Sequence, residues 1–218
     1  MTNWISSFPR SGNTLLRQVL HAGWGVLSGS IYPEDLGDNA DLIRLCGHVE
    51  LPRLESAGGL QLVNPHNVFV KSHQVKPLKG KTIYIMRDGR AACVSLWHFL
   101  KRTVPIEQII RGESFAGLWS DNLISHIDQA DLALQLRYED LVADPSDAIR
   151  QIAGMLGKPV GDPRKPLEDR DAIAAKAGKW VRRKSDWTQD WNPERDALFW
   201  QHNAPAMERF YPEIERTQ

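Results

Sequence analysis

The chain has 218 residues, 42% hydrophobic and 25% charged, enough to bury a substantial core without a disulfide staple. Its 27 Lys and Arg balance 27 Asp and Glu, which argues against a dedicated nucleic-acid binder or a polybasic membrane protein and makes any anion site a local one. Cys46 and Cys93 read as buried reduced thiols, and neither a signal-peptide run nor an apolar span of ~18 residues occurs, so a cytoplasmic protein without a membrane span is expected.

In chain order, Asn3 to Phe8 carries Trp4, Ile5 and Phe8 ahead of a turn and predicts a short strand. The turn runs into Thr14 to His21, where Leu15, Leu16, Val19 and Leu20 share one helical face. Residues 23–65 are rich in Gly, Pro and Asp, with one helix expected around Asp41 to Cys46 and no readable order elsewhere. Val68 to Val70 and Lys81 to Met86 are short, β-branched or aromatic runs that predict buried strands. Arg90 to Arg102 predicts a helix, Leu132 to Tyr138 a strand, and Ser146 to Leu156 a helix with Ser146 as N-cap and Gly157 at its end. Residues 158–192 hold three prolines and many charges and are expected to form a lid. Asn192-Pro193 opens a final helix that Pro205 is expected to break or kink. Strands alternating with helices at these lengths predict a three-layer α/β fold, a mostly parallel sheet flanked by helices.

Three places carry charge or hydrogen-bond donors suited to chemistry. Between the first strand and helix lie Arg10, Ser11, Gly12, Asn13 and Thr14, an anion cradle in principle and an ordinary helix cap in the alternative. Loop chemistry alone leaves both readings open. The loop is not G-x-x-x-x-G-K-[ST], which disfavours a standard ATP-hydrolysing site. After the Lys81 to Met86 strand comes Arg87, a cation where a Mg²⁺-binding acid would stand in a nucleotide triphosphatase, and this suggests a second phosphate. Ser95 shares a helix face with Asp88, Ala91 and Ala92, small residues against which a ligand could lie. Lys71 and His73 follow the Val68 to Val70 strand, at the carboxyl edge where open α/β sheets bind ligands. There His73 suits a general base and Lys71 a fixed positive charge. The histidine and cysteine spacings fit no zinc site, and there is no G-x-S-x-G elbow.

Together, Phe8-Pro9-Arg10-Ser11-Gly12-Asn13-Thr14, Lys71-Ser72-His73, Ile85-Met86-Arg87-Asp88-Gly89-Arg90-Ala91-Ala92-Cys93-Val94-Ser95 and Leu136-Arg137-Tyr138-Glu139-Asp140-Leu141 resemble the soluble sulfotransferases in order and context. The resemblance implies one sulfotransferase-like domain over residues 1–218, with a P-loop-like topology and a C-terminal lid. It implies 3′-phosphoadenosine 5′-phosphosulfate (PAPS) as co-substrate, adenosine 3′,5′-bisphosphate (PAP) as product, no required metal and a small-molecule acceptor. By position, Arg10, Ser11, Gly12, Asn13 and Thr14 would bind the 5′-phosphosulfate, and Arg87 with Ser95 the 3′-phosphate. Tyr138 would lie near adenine, while His73 would be the base and Lys71 with Arg10 would stabilise the leaving phosphate. Arg182 and Arg183, in a basic stretch that resembles the family's 3′-phosphate lid without its glycines, would complete the cofactor set.

Arg10 stands where many members have Lys, and Leu15 where cytosolic members often have the Trp that stacks on adenine. Two other readings stay open: a P-loop kinase with Thr14 and Asp88 on Mg²⁺, and a non-catalytic binder of phosphoadenosine nucleotides. Trp24, Trp97 and Trp119 invite an aromatic acceptor pocket, although large aromatics more often fill cores. The acceptor itself and the oligomeric state are not legible.

Overall fold

A computed structural model describes residues 2–33, 35–56, 59–62, 68–160 and 186–216. Strand β1 (Asn3–Ser6) leads into helix α1 (Asn13–Trp24), followed by β2 (Leu27–Ser30) and α2 (Ala40–Leu45). Next come β3 (Arg53–Ser56), β4 (Gly59–Leu62), β5 (Val68–Ser72) and β6 (Lys81–Met86). Helices α3 (Gly89–Phe99), α4 (Ile106–Ile110) and α5 (Trp119–Ile127) precede β7 (Leu132–Arg137). Then α6 (Tyr138–Ala143), α7 (Ser146–Leu156), a short 3₁₀ turn over Trp187–Asp190 and α8 (Pro193–Phe210) follow.

The main sheet has five strands in the order β2-β5-β1-β6-β7, all parallel, and β3 and β4 form a separate antiparallel pair. β6 is buried on both faces, which explains its unbroken apolar run. Ile83 and Ile85 face one way, onto Leu16, Val19 and Leu20 of α1 and Ile149 and Ile152 of α7. Tyr84 and Met86 face the other way, onto a cluster with Trp119, Phe199, Met207 and Tyr211 from α5, α8 and the residue after it. Each large side chain so buried contributes about 1.5–3 kcal/mol over its exposed state, and the two clusters fix helices on both faces. This is the three-layer arrangement that the alternation of strands and helices predicts.

Several boundaries differ from the sequence expectation for local reasons. α3 stops at Phe99 because Lys101 and Arg102 adopt positive φ values of 53° and 60°. Ser146 is not the cap of α7 but its first residue; the carboxylate of Asp144 takes the Ser146 N–H at 2.9 Å. Gly157 does end that helix, in the left-handed region at φ 62°. Pro205 lies inside α8, which runs on to Phe210. The helix survives because Asn203, Ala206 and Met207 anchor it in the interior, while Gln201, whose carbonyl loses its donor at Pro205, is exposed. The unreadable stretch contains β2, whose four residues, Leu-Ser-Gly-Ser, have no strand signature and pair because β5 offers an edge. Trp187 and Trp191 pack against the α5/α8 cluster, so the end of the expected lid segment is anchored. Residues 161–185 of that segment lie outside the described residues.

Candidate active site

Parallel strands bring the carboxyl ends of β1, β5, β6 and β7 to one edge of the sheet. Arg10, Ser11, Gly12, His73 and Arg87 sit on the loops there, Lys71 is within β5, and Asn13, Thr14, Ser95 and Tyr138 lie on the helices that follow β1, β6 and β7. The loop after β1 is held in an unusual backbone. Arg10 has φ 70°, a left-handed conformation that costs a non-glycine residue about 1–3 kcal/mol. The guanidinium of Arg87 holds it there, donating from Nη1 to the Arg10 carbonyl at 3.0 Å. Gly12, at φ 101°, is needed on two counts: the backbone demands it, and a Cβ there would lie 2.4 Å from Cδ2 of Tyr138.

The capping alternative for this loop is not what forms. Gly12 itself is the N-cap of α1, and no side chain caps the helix. Ser11 is buried and its hydroxyl has no hydrogen-bond partner; the same holds for Oδ1 of Asn13, whose Nδ2 donates to the Ile5 carbonyl at 3.3 Å. An unpartnered buried hydroxyl costs about 1–3 kcal/mol, which an oxyanion seated against the loop and the first N–H groups of α1 would recover. Thr14 follows on the first turn, half-buried.

Lys71 is the penultimate residue of β5, opposite Ile5 of β1, and His73 follows the strand in continuation of the Ser6–Ser72 register. The Nδ1–H of His73 donates to the Ser7 carbonyl at 2.8 Å, with the Ser7 hydroxyl 3.2 Å away. A carbonyl only accepts, so the proton is on Nδ1 and the lone pair is on Nε2. The ring stacks on Tyr32 at 5.8 Å, and the Tyr32 hydroxyl accepts the His73 backbone N–H at 2.9 Å. Burial, reinforced by the Lys71 charge, pushes the imidazole down from 6.5 to about 3. The ring is therefore neutral at physiological pH.

The Lys71 ammonium donates to Oδ1 of Asp35, a residue that belongs to none of the sequence motifs. Asp35 is buried and also accepts from Arg17 Nη1 at 2.6 Å. Burial pulls the Asp35 carboxyl upward, but Lys71 and Arg17 together outweigh it and hold the group below the ordinary carboxylate range. Arg17, only 1% exposed, further donates to Ser28 Oγ at 2.8 Å and to His48 Nδ1 at 2.7 Å. The sequence hides Arg17 as well, because one residue off the apolar face of α1 is where solvent is expected.

Arg87 follows β6 and lies over the Tyr138 ring, 4.7 Å from its centroid. Ser95 accepts from Arg10 Nε at 3.4 Å, so Arg10 joins the first loop to the α3 face. Arg10 thus contacts both members of the sequence pairing, Arg87 through its carbonyl and Ser95 through its guanidinium. Ala91 and Ala92 do not offer the expected open face: both are buried, Ala92 beside Phe8 and Cys93 in the core. Asp88, the proposed Mg²⁺ partner of the kinase alternative, caps α3 instead and binds the Arg90 guanidinium through both oxygens, at 3.2 and 2.9 Å. Glu139 accepts the Asp88 N–H at 3.0 Å and the Tyr211 hydroxyl at 3.3 Å, tying the start of α6 to the start of α3.

Trp24, Trp97 and Trp119 do not line one shared pocket. Trp119 is in the core, Trp24 donates to the Pro159 carbonyl at 2.9 Å, and the Trp97 ring carries the guanidinium groups of Arg102 and Arg195 at 4.5 and 5.4 Å from its centroid. Arg182 and Arg183 lie outside the described residues. Among the described residues no group of three or more His, Cys, Asp or Glu is arranged to hold a metal, and no helix is long and apolar enough to cross a membrane. Cys46 and Cys93 are both buried and unbridged.

A family model described as Sulfotransferase domain matches residues 2–190. Cytosolic sulfotransferase 5 of Arabidopsis thaliana is 29% identical over 185 residues, covering 71% of this chain and 56% of that protein. Flavonol 3-sulfotransferase of Flaveria bidentis is 24% identical over 183 residues, covering 72% and 56%. The chain spans about half the length of the curated relatives it matches. Among solved structures, mouse sulfotransferase SULT7A1 complexed with PAP superposes with a TM-score of 0.64 at 17% identity, over 98% of this chain and 89% of that one. Retinol dehydratase in complex with retinol and PAP gives 0.64 at 16% identity, over 95% and 81%. At such identities the structural likeness is one of fold.

Proposed function

The chain belongs to the sulfotransferase domain family, and from that premise we propose that it transfers the sulfuryl group of PAPS to an acceptor hydroxyl or amine and releases PAP. The observation that carries this reading is the convergence of Arg10, Lys71 and Arg87 with the buried, unpartnered Ser11 hydroxyl at one sheet edge. That local gathering of cations in a chain of zero formal charge supports an oxyanion site there.

In this reading Ser11, Gly12, Asn13, Thr14 and the N–H groups at the start of α1 hold the 5′-phosphosulfate. Arg87, Ser95 and, by family position, Arg182 and Arg183 hold the 3′-phosphate, with Tyr138 near adenine. Nε2 of His73 takes the acceptor proton as the acceptor oxygen or nitrogen bonds to sulfur and the bond from sulfur to the bridging oxygen breaks. That oxygen leaves on the phosphate of PAP, its new charge met by Lys71 and Arg10. A loose, in-line transition state asks for positioning and cations, and a sulfuryl group carries less charge than a phosphoryl group, so side-chain cations suffice without a metal. The flavonol in the name of one relative favours a phenolic small-molecule acceptor. The same reading takes residues 1–218 as one domain acting in the cytoplasm.

Calorimetric titration with PAP and AMP in EDTA, and with ATP in excess Mg²⁺, tests this directly. Micromolar or tighter binding of PAP alone is expected. A preference for ATP with Mg²⁺ would replace the sulfotransferase reading with a kinase.

A further inference from the structure

We propose that Asp35 is the positioning residue of the transfer site, holding the Lys71 ammonium at the end of β5 as a fixed charged group. The inference rests on the PAP-binding reading above and assigns a part to a residue that neither the sequence motifs nor the family resemblance singled out.

The geometry is that of one buried carboxylate shared by two buried cations. Asp35 gives Oδ1 to Lys71 and Oδ2 to Arg17, and the side chains are 3%, 12% and 1% exposed respectively. Bidentate sharing fixes both cations in direction, and the far side of Arg17 is fixed in turn by Ser28 and His48. Nδ1 of His48 accepts from Arg17, so its Nε2–H donates to Glu50 at 2.9 Å. The chain of contacts thus runs from an exposed carboxylate to the transfer site. Apart from Asp35, Arg17 is held by Ser28 and His48, whereas Asp35 is the only carboxylate paired with Lys71 among the described residues.

The other groups facing Lys71 act against its charge or are neutral. Arg10, from the loop after β1, and Arg17, from α1, are cations; His73 is a neutral ring; Tyr32 offers its ring face at 5.7 Å; Cys46, after α2, is a buried thiol. Burial pushes the Lys71 ammonium down from its ordinary range, and Asp35 is what opposes that. Replacing Asp35 with a neutral residue leaves Lys71 buried between two guanidinium groups. Its proton affinity then falls further, and an arriving phosphate must restore the proton.

The test counts protons. PAP is titrated calorimetrically at about pH 8 to 9, above the phosphate titration, in buffers of different ionisation enthalpy, with the wild type and Asp35→Asn. Asp35→Asn is expected to take up more protons per PAP bound than the wild type and to lose affinity more steeply as pH rises. Lys71→Arg in the Asp35→Asn background is expected to abolish the excess uptake, because a guanidinium stays protonated throughout. A merely structural role would lower the melting temperature or affinity without moving the proton count. Equal uptake in wild type and Asp35→Asn overturns the proposal, as does excess uptake that Lys71→Arg leaves in place. If Asp35→Asn binds no PAP, rescue by the added Lys71→Arg supports the proposal and failure of rescue overturns it. If Asp35→Asn does not fold, Asp35→Asn/Arg17→Gln removes the buried charges in a balanced pair and is read in the same way. Failure of both to fold makes Asp35 a folding counter-ion and overturns the positioning role. A wild type that does not bind PAP refutes the sulfotransferase reading itself, an outcome distinct from all of these.

Discussion

The imidazole of His73 is committed on one side and open on the other. Its Nδ1–H is bound to the Ser7 carbonyl, so only Nε2 can receive a proton. Two pH consequences follow from a pKa near 3. The base form persists as pH falls, so transfer to a phenol is expected to show no acid limb from His73 between pH 5 and 7 (about two units above its pKa at the lower end). The unfolded chain, by contrast, takes a proton on this ring below its ordinary 6.5, so stability is expected to fall as pH drops from 6.5 toward about 3. His73→Ala is expected to lose ~10²–10⁴ in kcat while binding PAP normally. Near-normal turnover in that variant, measured with a phenol acceptor, would remove the base assignment. The same scale explains why the motif residues were legible and their partners were not. Arg10, Lys71, His73 and Arg87 stand beside strand ends in a recognisable order, whereas Asp35, Arg17 and Tyr32 become relevant only through contacts across 18 to 41 residues of chain.

At the scale of the element, caps and anchors decide where helices begin and end. The Asn192 side chain accepts the Arg195 N–H at 2.9 Å and Pro193 takes the first helical position, as the sequence order predicts. Asn192→Ala is expected to cost about 1 kcal/mol, seen as a lower denaturant midpoint with an unchanged slope. A neutral result would mean that the buried face of α8 alone sets its start. Pro205 shows the opposite case, in which packing of Asn203, Ala206 and Met207 overrides a local breaker. α4 and α5 have no clear signature in the sequence because their segment mixes short apolar runs with Gly112 and Gly117, whose positive φ values of 77° and 69° are visible only in the fold. β2 was missed for a related reason, since Leu27–Ser30 is a strand only by virtue of its neighbour.

For the whole molecule, the parallel sheet turns separated motifs into one site. β1 and β5 are adjacent, β6 lies on the other side of β1, and β7 follows, so four carboxyl ends open onto one edge. A ligand spanning the loops after these strands would tie both flanking layers to the sheet. Saturation with PAP at about 100 times its Kd is therefore expected to stabilise the fold by ~2.7 kcal/mol, read as a rise in Tm that AMP at the same concentration does not match. An equal shift with AMP would mean that only one phosphate is held.

The amino-acid sequence by itself determined the layered α/β class, the strand-loop-helix at the start, the Asn192 and Gly157 helix ends and the family. These are properties of local periodicity, capping chemistry and motif order, which do not depend on what lies across the molecule. Only the tertiary structure decided that Arg10 links Arg87 to Ser95, that Asp88 serves Arg90, that Ala92 belongs to the core, and that Asp35 binds both Lys71 and Arg17. The physical reason is that a buried charge must find its partner wherever the fold brings one within reach, and that distance is set by strand order and register rather than by separation along the chain.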